Sequence, residues 1–261
     1  MKRHVQAEIR TVQKLSKSIY KMDIYCPEIA DYAALGQFLN IHLDRGDMIL
    51  PRPISIQNVD KDNGILSVMY HIAGNGTAYL ATLPEGYYLN ITGPLGNGYV
   101  YKNYKKLALI GGGIGVPPLY YGVTQVLKKH SDIEIRAYIG FRDKEFVILE
   151  DEFHALGIKT TVTTDNGSYG EKSNALEAFK NDGFIPDCVY ACGPYGMLKA
   201  VANYAIAQHI PCQVSMEERM GCGIGACIGC AIAINTTGKG YTYKKVCKDG
   251  PVFNASEVVW Q

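Results

Sequence analysis

No stretch of this 261-residue chain approaches the ~20 consecutive apolar residues that a membrane-crossing helix needs. The opening "MKRHVQAEIR" is basic, but no apolar stretch follows it. An export signal is therefore not expected, and the protein is expected to be cytoplasmic. An excess of charge of one sign is missing too. Lysine and arginine (26) nearly balance aspartate and glutamate (25), which gives no reason to expect a nucleic-acid or membrane-surface protein. Internal repeats and low-complexity segments are absent as well, so solenoids and repeat arrays drop out. What is there is a chain 47% hydrophobic, sufficient for a real core and long enough for two or three modest domains.

Cysteine is present in an informative pattern. The eight are Cys26, Cys188, Cys192, Cys212, Cys222, Cys227, Cys230 and Cys247. In a secreted chain an even count suggests disulfides. Without an export signal, the clustering of four near the C-terminus points to metal instead. Cys222, Cys227, Cys230 and Cys247 read C-x4-C-x2-C-x16-C, and the first two intervals are those of plant-type [2Fe–2S] ferredoxins. A two-iron cluster takes two thiolates per iron, and its bridging sulfides accept backbone N–H bonds, so the loop must close tightly around it. Gly221, Gly223, Gly225 and Gly229 leave no Cβ in the way. A structural zinc also takes four cysteines, usually as two C-x2-C pairs. Here Cys247 stands alone, and the loop is richer in glycine than zinc needs. The remaining cysteines read as small buried hydrophobes, Cys192 being the exception considered below.

Residues 1–99 read as β-rich. "HVQAEIRTVQ", "IYKMDIYC", "QFLNIHL" and "GILSVMYHIA" are short alternating or apolar runs, separated by "LDRGD", "VDKDNG", "GNGT" and "PEG". Strands at this spacing suggest a small antiparallel barrel, with one helix expected around Ile29 to Leu39. After "TGPLGNGYVYKNY" the pattern changes. "KLALIGG", "IEIRAYIGF", "KTTVTTD" and "CVYACGP" read as strands; "PPLYYGVTQVLKKH", "SNALEAFKND" and "YGMLKAVANYAIAQH" read as helices; "EFVILEDEFHALG" reads as either. That alternation predicts a parallel-sheet α/β domain over 100–210. Residues 211–261 hold the cysteine cluster, so the chain is expected to be a multidomain α+β protein.

Within the α/β region, "LALIGGGIGVPPLYYG" places Gly111, Gly112, Gly113 and Gly115 between a strand and a helix, whose free amides can bind phosphate. Gly111 and Gly113 fill the first two positions of G-x-G-x-x-G, but Val116 stands where the third glycine belongs. Pro117 and Pro118 suit a helix start. "YACGPYGML" ends the last strand of that region. Ligands of open α/β sheets bind beyond the carboxyl ends of strands, which makes Cys192, Gly193 and Pro194 candidates to line a nicotinamide site. Alone they would read as a strand-to-helix turn. Asp165, in "TTVTTDNGS", ends another strand. A carboxylate there accepts from ribose hydroxyls and repels a 2′-phosphate, and no basic neighbour in the sequence welcomes one. This favours NAD over NADP, although "TDNG" also reads as an Asx-type turn. In the barrel region, Arg52, Pro53, Ile54 and Ser55 lie in "LPRPISIQ", where arginine can hold a diphosphate oxygen and serine and backbone can fix a flavin edge. Gly76 and Thr77, in "YHIAGNGTAYL", suit a second phosphate-contacting turn.

Each of these signals except the cysteine loop is weak alone; their order is specific. R-P-I-S, G-N-G-T, G-P-L-G-N-G, G-G-G-I-G-V-P-P, C-G-P and C-x4-C-x2-C…C together resemble the ferredoxin-reductase superfamily with an added C-terminal cluster. More narrowly, the chain resembles the electron-transfer subunits of type B dihydroorotate dehydrogenases, essentially from end to end, most specifically at "EERMGCGIGACIGC".

The resemblance implies an FAD-binding barrel (1–99), an NAD-binding α/β domain (100–210) and a [2Fe–2S] domain (211–261). It implies FAD contacts from Arg52, Pro53, Ile54 and Ser55, from Met69, Tyr70 and His71 largely through backbone, and from Gly76 and Thr77 at the phosphate. Cys222, Cys227, Cys230 and Cys247 would hold the cluster. The implied partner is an FMN-containing dihydroorotate dehydrogenase catalytic subunit, in a heterotetramer with two of each. In that family the partner oxidises dihydroorotate to orotate for pyrimidine biosynthesis, electrons cross the cluster singly, and FAD gives hydride to NAD+. The chain shows no constellation that reads as an orotate site with its own catalytic base, which suits a subunit role. Ile224, Ala226 and Ile228 are expected to face the partner. Reductase subunits of NADH-dependent ferredoxin–NADP oxidoreductases, hydrogenases and sulfide dehydrogenases share the build and form the alternative. A zinc-bearing binding module without flavin is the alternative from another class.

Overall fold

A computed structural model of the chain describes residues 2–130, 132–236 and 240–261. The N-terminal part alternates apolar and polar residues because six strands close on themselves. These are β1 (Arg3–Lys14), β2 (Ile19–Tyr25), β3 (Phe38–His42), β4 (Arg52–Asp60), β5 (Ile65–His71) and β6 (Tyr88–Leu95). They form a closed antiparallel barrel in the order β1-β2-β5-β4-β3-β6. Inward positions such as Ile9, Met22, Ile24, Leu39, Ile41 and Ile56 are fully buried. Period-two alternation then leaves Phe38, Asn40 and His42 on the outer face of β3. That face becomes the seat of the C-terminal residues.

The helix expected over Ile29 to Leu39 is much shorter. Only α1 (Pro27–Ala30) is helical. Gly36 takes a positive φ of +80°, and Phe38–His42 follows the barrel's alternation instead, so strand pairing overrides the local helical spacing. A second short helix, α2 (Asn75–Leu80), bridges β5 and β6.

The second part is built on β7 (Lys106–Gly112), α3 (Val116–Leu127), β8 (Glu134–Phe141), α4 (Glu150–Ala155), β9 (Lys159–Thr164), β10 (Glu171–Lys172), α5 (Ala175–Asn181), β11 (Cys188–Cys192), α6 (Tyr195–Ala207) and β12 (Cys212–Ser215). "EFVILEDEFHALG" resolves into a 3-10 turn and α4. β7 is a continuous apolar run because it lies in the middle of a parallel sheet, covered on both faces. Pro117 and Pro118 open α3 as expected, and Asn174 caps α5 by accepting from the Glu177 amide at 3.1 Å.

Three further strands come from the C-terminal residues: β13 (Ala231–Asn235), β14 (Tyr241–Lys245) and β15 (Val252–Asn254). β13 and β14 form their own hairpin, while β15 joins the large sheet antiparallel to β12. The sheet order is β10-β9-β8-β7-β11-β12-β15. It is therefore parallel except at this edge, and it takes β12 and β15 from beyond residue 210. No helix of the described residues is long and apolar enough to cross a membrane.

Candidate cofactor sites

In the large sheet the chain runs outward from β7 through β8 and β9 to β10, then returns to place β11 on the other side of β7. The order reverses between β7 and β11, and such a switch point leaves a crevice at the strands' carboxyl ends. Gly111 and Gly112 end β7 there, and Gly113 and Gly115 follow it; Cys192 ends β11, and Gly193 and Pro194 follow it. The two turns touch. A Cβ on Gly115 would lie 2.5 Å from the Cys192 carbonyl and the Gly193 nitrogen, so only glycine permits the approach. Cys192 is buried, and that burial raises its thiol pKa, with Glu217 adding to the effect. It is no free thiolate. Asp165 lies exposed beyond β9, its amide donating to the Phe141 carbonyl at 3.0 Å. The bond sets the end of β8 beside it. Arg142, the next residue, turns its guanidinium to the Asp143 carboxylate at 3.3 Å and over the Phe146 ring.

Facing this crevice is a cavity of about 530 Å³ between the barrel and the sheet. β4 contributes Pro53, Ile54 and Ser55, β5 contributes Met69, Tyr70 and His71, and α2 contributes Thr77. Arg52 and Gly76 stand beside it. The Arg52 guanidinium occupies the space where a Gly76 Cβ would be, 2.0 Å from its Nε. Thr77 is placed differently from a free phosphate donor: its hydroxyl accepts from the Ala73 and Gly74 amides at 3.0 and 3.3 Å and so caps α2. The Tyr70 hydroxyl is buried without a hydrogen-bond partner among the described residues, and burial raises its pKa. An orphaned hydroxyl on the wall of an amphipathic cavity fits a large polar aromatic ligand such as a flavin. Across the cavity stand Ile114 from the glycine turn and the run Ser215–Met220. Sequence reasoning assigned that run no flavin contact, because nothing local marks a segment leaving β12 as the wall of a barrel cavity. Desolvation by the surrounding wall raises the Glu217 carboxyl there, while part of its side chain stays open to solvent.

The same run leads directly into the cysteine loop. The Cys227 amide donates to the Cys222 sulfur at 3.3 Å. With the Ile224 and Ala226 amides it outweighs the opposing effect of burial and brings the Cys222 thiol down to about 6. Cys230 and Cys247 are buried side by side, and burial followed by the Cys230 thiol pushes Cys247 up to about 12. Among the described residues no three His, Cys, Asp or Glu side chains gather as tightly as a single metal ion requires. The donor set is instead two thiol pairs, Cys222 with Cys227 and Cys230 with Cys247. Two thiolates per iron and amides turned toward sulfur fit a two-iron cluster. The loop is strapped at its edge by Lys245, which donates to the Gly225 carbonyl at 2.7 Å. Ile224, Ala226 and Ile228 all lie on its exposed side, Ile228 at 78% exposure.

The comparisons with known proteins agree with this geometry. Residues 217–259 match the model of the iron–sulfur cluster binding domain of dihydroorotate dehydrogenase B. The chain is 39% identical over 253 residues to the electron transfer subunit of dihydroorotate dehydrogenase B (NAD(+)) of Enterococcus faecalis, with 95% of each chain covered. It is 35% identical over 260 residues to that of Caldanaerobacter subterraneus subsp. tengcongensis, with both chains fully covered. Among solved structures, an NADH-dependent reduced ferredoxin–NADP oxidoreductase superposes with a TM-score of 0.86 at 29% identity, over 97% of this chain and 90% of that one. A ferredoxin–NADP+ reductase from Neisseria gonorrhoeae with bound FAD and NADP superposes at 0.66 over 78% of this chain and 91% of that one; at 16% identity it speaks for the fold alone. The paired cysteines, the barrel cavity and the full-length identity lead to one assignment: the chain belongs to the family of dihydroorotate dehydrogenase B (NAD(+)) electron transfer subunits.

Proposed function

We propose that this chain carries electrons from an FMN-containing dihydroorotate dehydrogenase catalytic subunit to NAD+, two copies of each subunit forming the complex. The observation that carries the reading is continuity. Residues 215–220 line the barrel cavity, and the next residues are the cysteine loop, so one segment joins a flavin site to a cluster site. When bound, the cluster supplies single-electron transfer and the flavin couples pairs of such steps to the two-electron hydride that NAD+ takes.

The chain's own residues bind, orient and exclude water. Ser55, His71 and the unpaired Tyr70 hydroxyl hold the flavin ring, and Arg52, laid across Gly76, answers the diphosphate as a charge-assisted donor. The bare turns at Gly111–Gly115 and Cys192–Pro194 receive the nicotinamide, with Ile114 between that crevice and the flavin cavity. Buried, protonated Cys192 serves as packing at this point rather than as a nucleophile. Asp165 takes the adenosine ribose. Ile224, Ala226 and Ile228 form the apolar rim that meets the partner.

A sister reductase reading draws support from the 0.86 superposition with the ferredoxin–NADP oxidoreductase, while the higher identity to the dihydroorotate family favours the first. Capture of the tagged chain from its own cells under anaerobic conditions, followed by an assay of dihydroorotate-dependent NAD+ reduction, separates the two. Activity with a co-purifying FMN subunit is expected. A yellow-brown eluate that oxidises NADH with dyes but ignores dihydroorotate moves the function to a sister reductase.

A further inference from the structure

The outer face of β3 carries Phe38, Asn40 and His42. Phe38 packs into the core that holds Cys230 and Cys247. His42 is satisfied through Thr92 at 3.1 Å. Asn40 differs from both. It is fully buried, at 0% exposure, yet neither its Nδ2 nor its Oδ1 has a hydrogen-bond partner among the described residues. Both ends of a carboxamide left unpaired inside a protein are costly, and such groups call for a partner.

Its surroundings identify that partner. Asn40 is not one of the residues lining the flavin cavity. It points at Gly223, between the ligand Cys222 and Ile224. A Cβ on Gly223 would lie 1.8 Å from Asn40 Nδ2, and Gly223 has φ +66°. A glycine that is bare and left-handed here lets a side chain from the barrel reach the loop. The loop's own amides already converge on sulfur, as the Cys227 amide does on Cys222 at 3.3 Å. Thiolate and sulfide accept hydrogen bonds and never donate them. The chemistry therefore selects the NH2 end of the carboxamide, whichever way the amide is turned.

We propose that Asn40 is a positioning residue for the cluster: its Nδ2 donates a hydrogen bond to a sulfur held within the Cys222–Cys230 loop, from the barrel side. The inference rests on the assignment of the four cysteines as ligands. Reduction adds one negative charge to the cluster, and a donor aimed at sulfur stabilises the reduced form, raising the potential. The same bond fixes the cluster loop against the barrel that forms the flavin cavity, so one side chain serves both the distance and the driving force of transfer.

Asn40→Leu tests this, because it keeps the side-chain shape and removes the donor. The loaded protein is titrated electrochemically and the reduced cluster is followed by electron paramagnetic resonance. At a fixed poise the reduced-to-oxidised ratio is expected to fall about tenfold, which for a one-electron couple is ~59 mV. The metal-free Asn40→Leu protein should melt no lower than metal-free wild type, since two unpaired polar atoms are gone; a purely structural role predicts the opposite. A second measurement needs no variant. Wild type labelled with 15N only at asparagine side-chain amides should show a nitrogen hyperfine coupling to the reduced cluster. A full cluster signal with unchanged potential, or with no such coupling, overturns the role of Asn40 alone. A wild-type protein without any [2Fe–2S] signal overturns the cysteine assignment and this inference with it.

Discussion

Gly76 is helical, and replacing a helical glycine with alanine ordinarily stabilises by up to ~1 kcal/mol. Here the added Cβ would sit 2.0 Å from Arg52 Nε, so the arginine must leave. If Arg52 holds the flavin diphosphate, Gly76→Ala weakens FAD binding by about tenfold to a hundredfold, the range for a hydrogen bond to a charged group. Flavin-fluorescence titration reads it, and Arg52→Met should give a loss of similar size. An unchanged affinity in the Gly76→Ala protein would remove Arg52 from the diphosphate. Asp165 offers a second test at this scale. At the adenosine ribose proposed for it, its carboxylate would repel a 2′-phosphate. Asp165→Asn is therefore expected to raise the ratio of kcat/KM for NADP+ to that for NAD+ about tenfold, as steady-state kinetics would measure; an unmoved ratio would take Asp165 out of nucleotide selection. The candidate sites differ in how much of each the sequence carries. Cysteine spacing is close to a ligand list, because four thiolates in x4 and x2 intervals leave few alternatives. The bond from the Asp165 amide to the Phe141 carbonyl exists only once β8 and β9 pair.

At the scale of elements, legibility follows pattern strength. β7 and β11 stand out in the sequence because buried parallel strands are nearly continuous apolar runs, while β8 and β9 show themselves by alternating and β-branched residues. β12 and β15 do not, being four and three residues long, and β6 hides behind the turn chemistry of "PEGYY" and "TGPLGNG". The expected helix at Ile29 to Leu39 shows the competition directly: local spacing favours a helix, and barrel closure takes Phe38–His42 as a strand. One side chain binds several elements together. Asp182, at the C-terminus of α5, accepts from Tyr138 at 2.6 Å and Arg136 at 2.7 Å on β8, and from Lys159 at 2.6 Å on β9. Burial alone would raise its pKa, but the bonds from Lys159, Tyr138 and Arg136 outweigh it and hold the carboxyl at about 2. A carboxyl depressed on folding contributes stability above its ordinary value near 3.8 and loses it as pH falls toward 2. Wild type should thus lose Tm across pH 4 to 2 more steeply than Asp182→Asn, whose Tm at neutral pH should be lower. Parallel acid melting curves for the two proteins would deny Asp182 that role.

The whole molecule makes its main site from parts far apart in sequence. Barrel strands, the turn after β7 and the segment after β12 share one cavity, and Asn97 near the barrel's end donates to the Lys248 carbonyl at 2.9 Å beside the fourth cysteine. Order of motifs revealed the whole, whereas the place of Met216–Met220 in the cavity wall stayed unread because a wall built by tertiary packing leaves no periodic trace. The remaining surface question concerns the partner. Ile228 is 78% exposed and Ile224 49%, both between cluster cysteines, an arrangement of apolar side chains over a redox centre that a docking subunit would cover. Ile228→Asp costs the isolated chain little, because the side chain touches water rather than core. In the complex it would bury an unpaired carboxylate against apolar surface, a penalty of at least ~2 kcal/mol or about thirtyfold in affinity. The visible spectrum of the cluster and the bound flavin should stay as in wild type, while the FMN subunit should no longer co-elute on size exclusion. Retained co-elution at wild-type affinity would move the partner's contact away from the cluster loop, and with it the entry point for electrons.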